Sequence, residues 1–183
     1  DNTMGLSVIV GSHMDDLTEL APYQRMPLVY VAKALFPGKN IIKNPLGGPI
    51  WIKKSLGLKA SGTCSLKIEG VYKSPDFVIG ETDLQDWKRR ISETTVPWLE
   101  IRGKHFAFTV QKDRVLDNLE SISSTLQEVG KEWDEAIEEF FFEYYGLKID
   151  KDAEEKERAP EFPFRVVLDV QVLGNLYLRN SDY

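Results

Sequence analysis

The sequence has few residues that bind transition metals or form disulfides: two histidines, His13 and His105, and one cysteine, Cys64, occur in 183 residues. One cysteine cannot form a disulfide within the chain, and we interpret Cys64 as a small buried residue of a strand. The histidines are 92 positions apart, and neither has a second ligand at a metal-binding spacing. We therefore predict no zinc site and no catalytic residue in this chain, and interpret both histidines as surface or structural residues.

Long apolar runs and dense basic stripes are also missing. No segment has the length of a transmembrane helix or the composition of a signal peptide, although the sequence starts at Asp1 and not at a methionine. The net charge is −6, and no basic stripe is interleaved with aromatic residues, which argues against nucleic acid as a partner. No Gly-rich nucleotide loop and no serine nucleophile with a neighbouring base are found.

Charge is distributed unevenly and predicts a domain boundary. Residues 1–112 contain 15 Lys and Arg against 11 Asp and Glu, whereas residues 113–183 contain 8 against 18. We predict an accessory β-sandwich domain over residues 1–112. Residues 113–183 are predicted to form the N-terminal part of a second domain.

Short apolar segments, several of them alternating, are separated by Gly, Pro, Asn and Ser through the first domain. This pattern is typical of a largely antiparallel sandwich. A short helix over residues 84–91, with Thr82 or Asp83 as its cap, would connect the two sheets. The predicted strands are residues 6–10, 28–35, 39–43, 49–54, 64–72, 76–80, 98–102 and 105–110.

The second domain begins with helical periodicity. A short helix from Asp113 precedes a long amphipathic helix that starts at Ser123 or Ser124 and ends at Gly146. Trp133 lies on its apolar face and is predicted to join the helix to a sheet. Its glutamates, which we interpret as solvated, are Glu128, Glu132, Glu135, Glu138 and Glu139. A charged connection over residues 150–160 then leads to a strand over residues 164–172.

A loop of defined shape is predicted at residues 44–49, where Asn-Pro-Leu-Gly-Gly-Pro leads into the strand that contains Trp51. Adjacent glycines permit positive φ angles and a close approach of backbone, and we interpret the loop as a tight connection between strands. Trp51 is more plausibly a core residue, although an exposed Trp51 beside this loop could stack on a sugar ring.

Several segments, in their order along the chain, resemble the enhancin-type zinc metallopeptidases, a family that includes mucin-degrading proteases and channel-associated factors. These segments are Gly5-Leu-Ser-Val-Ile-Val-Gly-Ser-His13, residues 44–52, Ser74-Pro-Asp-Phe-Val-Ile-Gly-Glu-Thr82, Val96-Pro-Trp-Leu-Glu100, Phe106-Ala-Phe-Thr-Val110, Glu132-Trp-Asp134 and Arg165-Val-Val-Leu-Asp-Val-Gln-Val172. The family's His-Glu-x-x-His motif is absent from this sequence. We therefore expect an α+β segment in which the second domain is an incomplete, gluzincin-like peptidase domain that lacks the zinc-binding helix.

The resemblance implies that the intact protein is a zinc hydrolase acting on mucin or another glycoprotein. The final segment would then lie near the substrate, and its candidate residues are Tyr177, Arg179, Asn180 and Tyr183. This segment departs from the family's His-Ser-Gly turn.

Two alternatives remain open: a non-enzymatic scaffold that resembles the channel-associated factors, and a carbohydrate-binding module that uses Trp51. The predicted partners are further polypeptide covering residues 164–183, from the same chain or another, and a glycoprotein or membrane protein. The sequence does not fix a compartment; we favour secretion or a cell-surface location, with the cytoplasmic face of a membrane as the alternative.

Overall fold

A computed structural model describes residues 5–12, 29–54, 63–150 and 152–168. The described residues form two compact units, which divide between Lys73 and Ser74. None of the helices within these ranges is both long and apolar enough to span a membrane.

The first unit contains a three-stranded antiparallel sheet of β1 (Leu6–Val10), β2 (Val31–Ala34) and β3 (Ile50–Lys54). β1 is the central strand, and Val8 and Ile9 on it are buried. Adjacent residues of a strand point to opposite faces of the sheet, so the burial of both Val8 and Ile9 shows that both faces are covered at this position.

Two predicted strands of the first unit are wrong. Residues 39–43 and 64–72 are irregular, and every residue from 63 to 70 is exposed. The alternation of Leu66 and Ile68 therefore has no buried face on which to pack, and alternation alone does not form a strand. Cys64 is exposed, which corrects its interpretation as a buried strand residue.

The second unit contains a four-stranded mixed sheet in the order β4, β5, β6, β7, with these strands at Phe77–Val78, Trp98–Arg102, Phe106–Gln111 and Phe164–Val167. β5 and β6 form the predicted antiparallel hairpin. The pairs β4–β5 and β6–β7 are parallel, contrary to the prediction of a mostly antiparallel sheet. Two parallel strands cannot be joined by a tight turn and need a long crossover connection. Helices form the crossovers from β4 to β5 and from β6 to β7.

The first crossover is α1 (Leu84–Glu93), which leads from β4 to β5. Of the two predicted caps, Thr82 and Asp83, the structure selects Asp83, whose side chain accepts a hydrogen bond from the backbone N–H of Asp86 at 2.8 Å. Trp87 and Ile91 are fully buried on the apolar face. The helix therefore packs as predicted, but it connects two strands of one sheet.

The second crossover contains α2 (Lys112–Asp117), α3 (Leu119–Ala136), a π-helical segment (Ile137–Glu143) and a short 3₁₀ turn (Glu155–Glu157). The long helix starts at Leu119, before the predicted start at Ser123 or Ser124. Ser123 lies inside the helix, where its side chain is buried and donates to the Glu120 carbonyl. Gly146 has a φ angle of 68°, as expected of a helix-terminating glycine.

The core of the second unit lies between its sheet and its helices. One cluster joins sheet and helix side chains, and it consists of Phe77, Trp87, Ile91, Leu99, Ile101, Val115 and Leu126. A smaller cluster contains Phe142, Ala159 and Phe164. The α+β class is therefore confirmed, whereas the sandwich is not, since helices cover this face of the sheet.

The predicted boundary near residue 112 lies inside this unit. β6 ends at Gln111 and α2 begins at Lys112, with no linker between them. Val115 of α2 then packs in the same core as Leu99 of β5. The change in charge along the sequence marks the start of the acidic helices, and the division between compact units lies about forty residues earlier.

Candidate functional site

Polar side chains lie on one face of the sheet in the second unit. Glu100 on β5 and Thr109 on β6 are directly opposite each other in the strand register. Arg165 on β7 pairs with Ala107, which shares the face of Thr109 because side chains alternate along a strand. Leu99 and Ile101 point to the other face and join the helix-covered core.

These three polar residues form a buried hydrogen-bond network. The Thr109 hydroxyl donates to Glu100 Oε1 at 3.1 Å, and Arg165 Nε donates to Thr109 Oγ1 at 3.0 Å. Arg165 Nε also lies 3.9 Å from Glu100 Oε1. Thr109 is fully buried, and Arg165 is buried as well. The network therefore connects three neighbouring strands through side chains as well as through the backbone.

Asp76, just before β4, extends the network to the fourth strand. Its Oδ1 accepts the backbone N–H of Glu100 at 2.9 Å and the hydroxyl of Ser74 at 2.5 Å. A carboxylate that accepts hydrogen bonds from both a backbone and a side-chain donor has a fixed orientation. Asp76 therefore anchors the entry to β4 against β5.

Burial raises the pKa of the Glu100 carboxyl, and the nearby negative charge of Asp76 raises it further. Arg165 and the hydrogen bond from Thr109 act in the opposite direction without cancelling the increase. A buried carboxyl of this kind keeps its proton to a higher pH than an exposed glutamate does. The other groups with a shifted pKa in the described residues, Asp86, Arg89 and Lys148, are exposed.

A second polar cluster attaches the β5–β6 turn to the long helix. The carboxylate of Asp134 accepts the backbone N–H groups of Lys104 and His105, at 2.9 and 2.8 Å. His105 Nε2 lies 2.7 Å from Glu138 Oε1, and the imidazole ring packs edge-on against Phe142. His105 is therefore structural, as predicted, whereas the interpretation of Glu138 as a solvated residue is wrong.

The glycine loop of the first unit is held by an asparagine. Asn44 Nδ2 donates to the carbonyls of Val10 and Gly47, at 2.8 and 3.0 Å. Gly48 packs so closely on Gly11 that a β-carbon there would lie 2.7 Å from the Gly11 α-carbon. The loop thus connects strands by close backbone contact, as predicted.

Trp51 lies at the start of β3, beside this loop. It is half-buried, and its indole N–H donates to the Gly11 carbonyl at 3.3 Å. Its stacking on a sugar stays a prediction. The other predicted site residues, Tyr177, Arg179, Asn180 and Tyr183, lie outside the described residues, and their role also stays a prediction.

The sequence interpretation did not select Glu100, Thr109 or Arg165. Each is a single polar residue inside an otherwise apolar strand, in Trp-Leu-Glu-Ile, Phe-Thr-Val and Phe-Arg-Val. That interruption was the available signal, because a polar residue on a buried strand needs a partner. The structure brings together four segments that carry the family resemblance, those of Asp76, Glu100, Thr109 and Arg165.

The described residues do not fit the zinc ion that the resemblance implies for the intact protein. Within them, no group of three or more His, Cys, Asp and Glu side chains could hold a metal ion. His105 is engaged with Glu138, and the Asp134 carboxylate is occupied by two backbone donors. His13 lies outside the described residues, and the described part of the chain therefore supplies no complete ligand set for zinc.

Comparison with known proteins shows the family. Residues 70–174 match the family described as peptidase M60, enhancin and enhancin-like, and residues 1–69 match the N-terminal domain of M60-like peptidases. The chain belongs to the M60 peptidase family. The polar network lies wholly within the residues that match the M60 peptidase.

Curated M60 relatives include human proteins. The chain is 30% identical over 169 residues to TRPM8 channel-associated factor 1 of Homo sapiens. The alignment covers 91% of this chain and 16% of the relative. The chain is 27% identical over 172 residues to TRPM8 channel-associated factor 2 of Homo sapiens, with 92% and 16% coverage. The chain thus spans about a sixth of the length of these relatives.

A solved M60 structure has a similar fold. The ZmpB metallopeptidase from Clostridium perfringens aligns with a TM-score of 0.64 at 15% sequence identity. The alignment covers 93% of this chain and 36% of the solved chain. At this identity the likeness concerns the fold alone.

Proposed function

We propose that this chain is a segment of an enhancin-like zinc metallopeptidase that acts on mucin or another glycoprotein, and that its described residues have a structural part in that enzyme. One observation supports a structural role for the described residues. The carboxylates of Asp76, Glu100 and Asp134 are each engaged by donors of the fold itself. A group that activates water for peptide hydrolysis needs access to water and substrate, whereas these carboxylates hold strands and a turn.

The family match supports the enzyme class. The M60 peptidase match covers the described part of the second unit, and the alignment with a solved metallopeptidase leaves most of that enzyme outside this chain. The zinc ligands of the intact protein would then be supplied by other residues.

The test is proteolysis of a mucin by the full-length polypeptide and, in parallel, by the 183-residue chain. We expect cleavage by the full-length polypeptide that a zinc chelator abolishes and added zinc restores, and no cleavage by the chain alone. Zinc-dependent cleavage by the chain alone would contradict the structural role. A full-length polypeptide that leaves mucins and other glycoproteins intact would contradict the peptidase.

The second candidate is a non-enzymatic scaffold that binds a membrane channel. The observation that favours it is the similarity of over nine-tenths of the chain to the channel-associated factors. Co-purification of the full-length polypeptide with detergent-solubilised TRPM8 channel tests this candidate. Retention without any proteolytic activity would favour the scaffold over the peptidase.

A further inference from the structure

The C-terminal end of the long helix exposes an aromatic surface made of Phe140, Phe141, Tyr144 and Tyr145. Phe140 is 76% exposed, Tyr144 80% and Tyr145 65%. The ring of Tyr145 lies 5.2 Å from those of both Phe141 and Tyr144, so the surface is continuous at these three residues. Several adjacent exposed aromatic side chains in a soluble unit are typical of an interaction site.

The aromatic surface lies at the end of the π-helical segment, where two neighbouring phenylalanines pack against the rest of the unit. Phe142 points inward and is buried in the cluster with Ala159 and Phe164. Phe141 packs on Phe164 at 5.2 Å, which fixes one edge of the aromatic surface to β7. The aromatic surface is therefore attached to the sheet through Phe141 and the buried Phe142 beside it.

The helical segment that carries these rings is acidic. Residues 132–147 contain six Asp and Glu, Glu132 included, and no Lys or Arg. Asp134 and Glu138 are engaged with the β5–β6 turn. Glu135, Glu139 and Glu143 are exposed at intervals of four residues, and no ion pair to any of them occurs within the described part of the chain. Like charges at this spacing repel one another, by about 0.2–0.5 kcal/mol per pair on a helix.

We propose that the aromatic surface binds a basic amphipathic segment of a partner protein. Apolar side chains of such a segment would cover the rings, and its Lys and Arg would meet the unpaired carboxylates and the faces of Phe140 and Tyr144. Charge complementarity selects this occupant, because an acidic or neutral apolar segment would leave the repulsion between the glutamates unrelieved. The inference concerns a partner site and goes beyond the proposed peptidase segment.

The probe is a short helical peptide of leucine and lysine, titrated into the 183-residue chain and followed by fluorescence anisotropy. The matched peptide has glutamate in place of lysine. We expect the lysine peptide alone to bind. The double variant Phe140→Ser with Tyr144→Ser should weaken binding at least about tenfold, because exposed aromatic anchors carry much of the energy of such contacts.

Two further variants separate charge from folding defects. Glu139→Gln with Glu143→Gln should weaken binding several-fold and reduce its dependence on salt. Phe36→Ser with Tyr72→Ser changes two exposed aromatic residues of the other unit and should leave binding unchanged. Circular dichroism of each variant checks that the fold is retained.

Equal binding of both peptides, or no effect of the Phe140 and Tyr144 changes, would overturn the proposal. A dimer in sedimentation analysis that the same double variant abolishes would identify a second copy as the occupant, and would also overturn it. So would binding by the 183-residue chain with none by the full-length polypeptide, because the rest of that polypeptide would then cover the surface.

Discussion

Asp134 and His105 are 29 residues apart in the sequence, and the Asp134 carboxylate accepts the backbone N–H of His105 at 2.8 Å. The other oxygen of the same carboxylate accepts the N–H of Lys104. One side chain of α3 therefore satisfies two backbone donors of a tight turn between strands. Gly103 allows this approach, because a β-carbon at that position would collide with the carboxylate.

Replacement of Asp134 by alanine should destabilise the second unit by about 1–3 kcal/mol, the cost of leaving polar groups unsatisfied. Asp134→Asn keeps one acceptor oxygen and should cost less. Urea unfolding measures both changes. Glu135→Ala, one residue along and exposed, is the control and should stay within about 0.5 kcal/mol of the unchanged chain. Equal effects of Asp134→Ala and Glu135→Ala would show that the carboxylate does not hold the turn.

The raised pKa of Glu100 predicts a dependence of stability on pH. The folded chain keeps the Glu100 proton to a higher pH than the unfolded chain does. Folding stability is therefore lost as the pH rises from the ordinary glutamate pKa of about 4.3 through the raised pKa of the folded state.

Glu100→Gln keeps an acceptor for Thr109 and removes the titration. The variant should lose less stability than the unchanged chain when urea unfolding is repeated at increasing pH from about 4 to 7. Glu128→Gln makes the same change on an exposed helix face and is the control. Parallel pH profiles for the Glu100→Gln variant and the unchanged chain would contradict the prediction.

Two tryptophans should differ in their contribution to stability. Trp87 is fully buried and donates its indole N–H to the Pro75 carbonyl at 2.7 Å. Trp133 is half-buried and contacts the rings of Phe106 and Phe108 on β6, so it joins helix to sheet as predicted. Trp87→Ala should cost about 3–5 kcal/mol or more, and Trp133→Ala less. Thermal unfolding decides the order, and a larger effect at Trp133 would contradict it.

Gly48 and Gly47 provide a matched pair in the loop of the first unit. Both have positive φ angles, 113° and 66°, but only Gly48 packs on the backbone of Gly11. Gly47→Ala should cost about 1 kcal/mol, from the left-handed conformation alone. Gly48→Ala should cost clearly more, because backbone atoms must move. Similar losses in chemical denaturation would mean that the close approach is not required.

The sequence predicted the elements whose signals are local. β1, β5, β6 and α1 were found within a few residues, because alternation, a turn glycine and the Asp83 cap act between near neighbours. The predicted strands at 39–43 and 64–72 were wrong, because an alternating pattern of apolar residues does not indicate whether a partner strand is present. The parallel pairs depend on residues far apart in sequence, which periodicity cannot report.

The candidate site was predicted less well than the fold. The sequence showed the segments that contain Asp76, Glu100, Thr109 and Arg165, but not that these side chains meet. Their convergence depends on the strand order and on the register of β7 against β6. A one-residue shift of β7 would turn Arg165 to the helix-covered face, so the network requires a register that no local pattern encodes.

The parallel pairing of β7 with β6 also bears on how the chain reaches its native state. Residues 112–163 lie between the two strands, so their contact closes a long loop, whereas the β5–β6 hairpin closes over a turn of a few residues. Loop-closure entropy and contact order both favour early formation of the hairpin and slow docking of β7. Since Arg165 arrives with β7, its hydrogen bond to Thr109 forms only in the last stage of folding, and replacing Arg165 should speed unfolding more than it slows refolding.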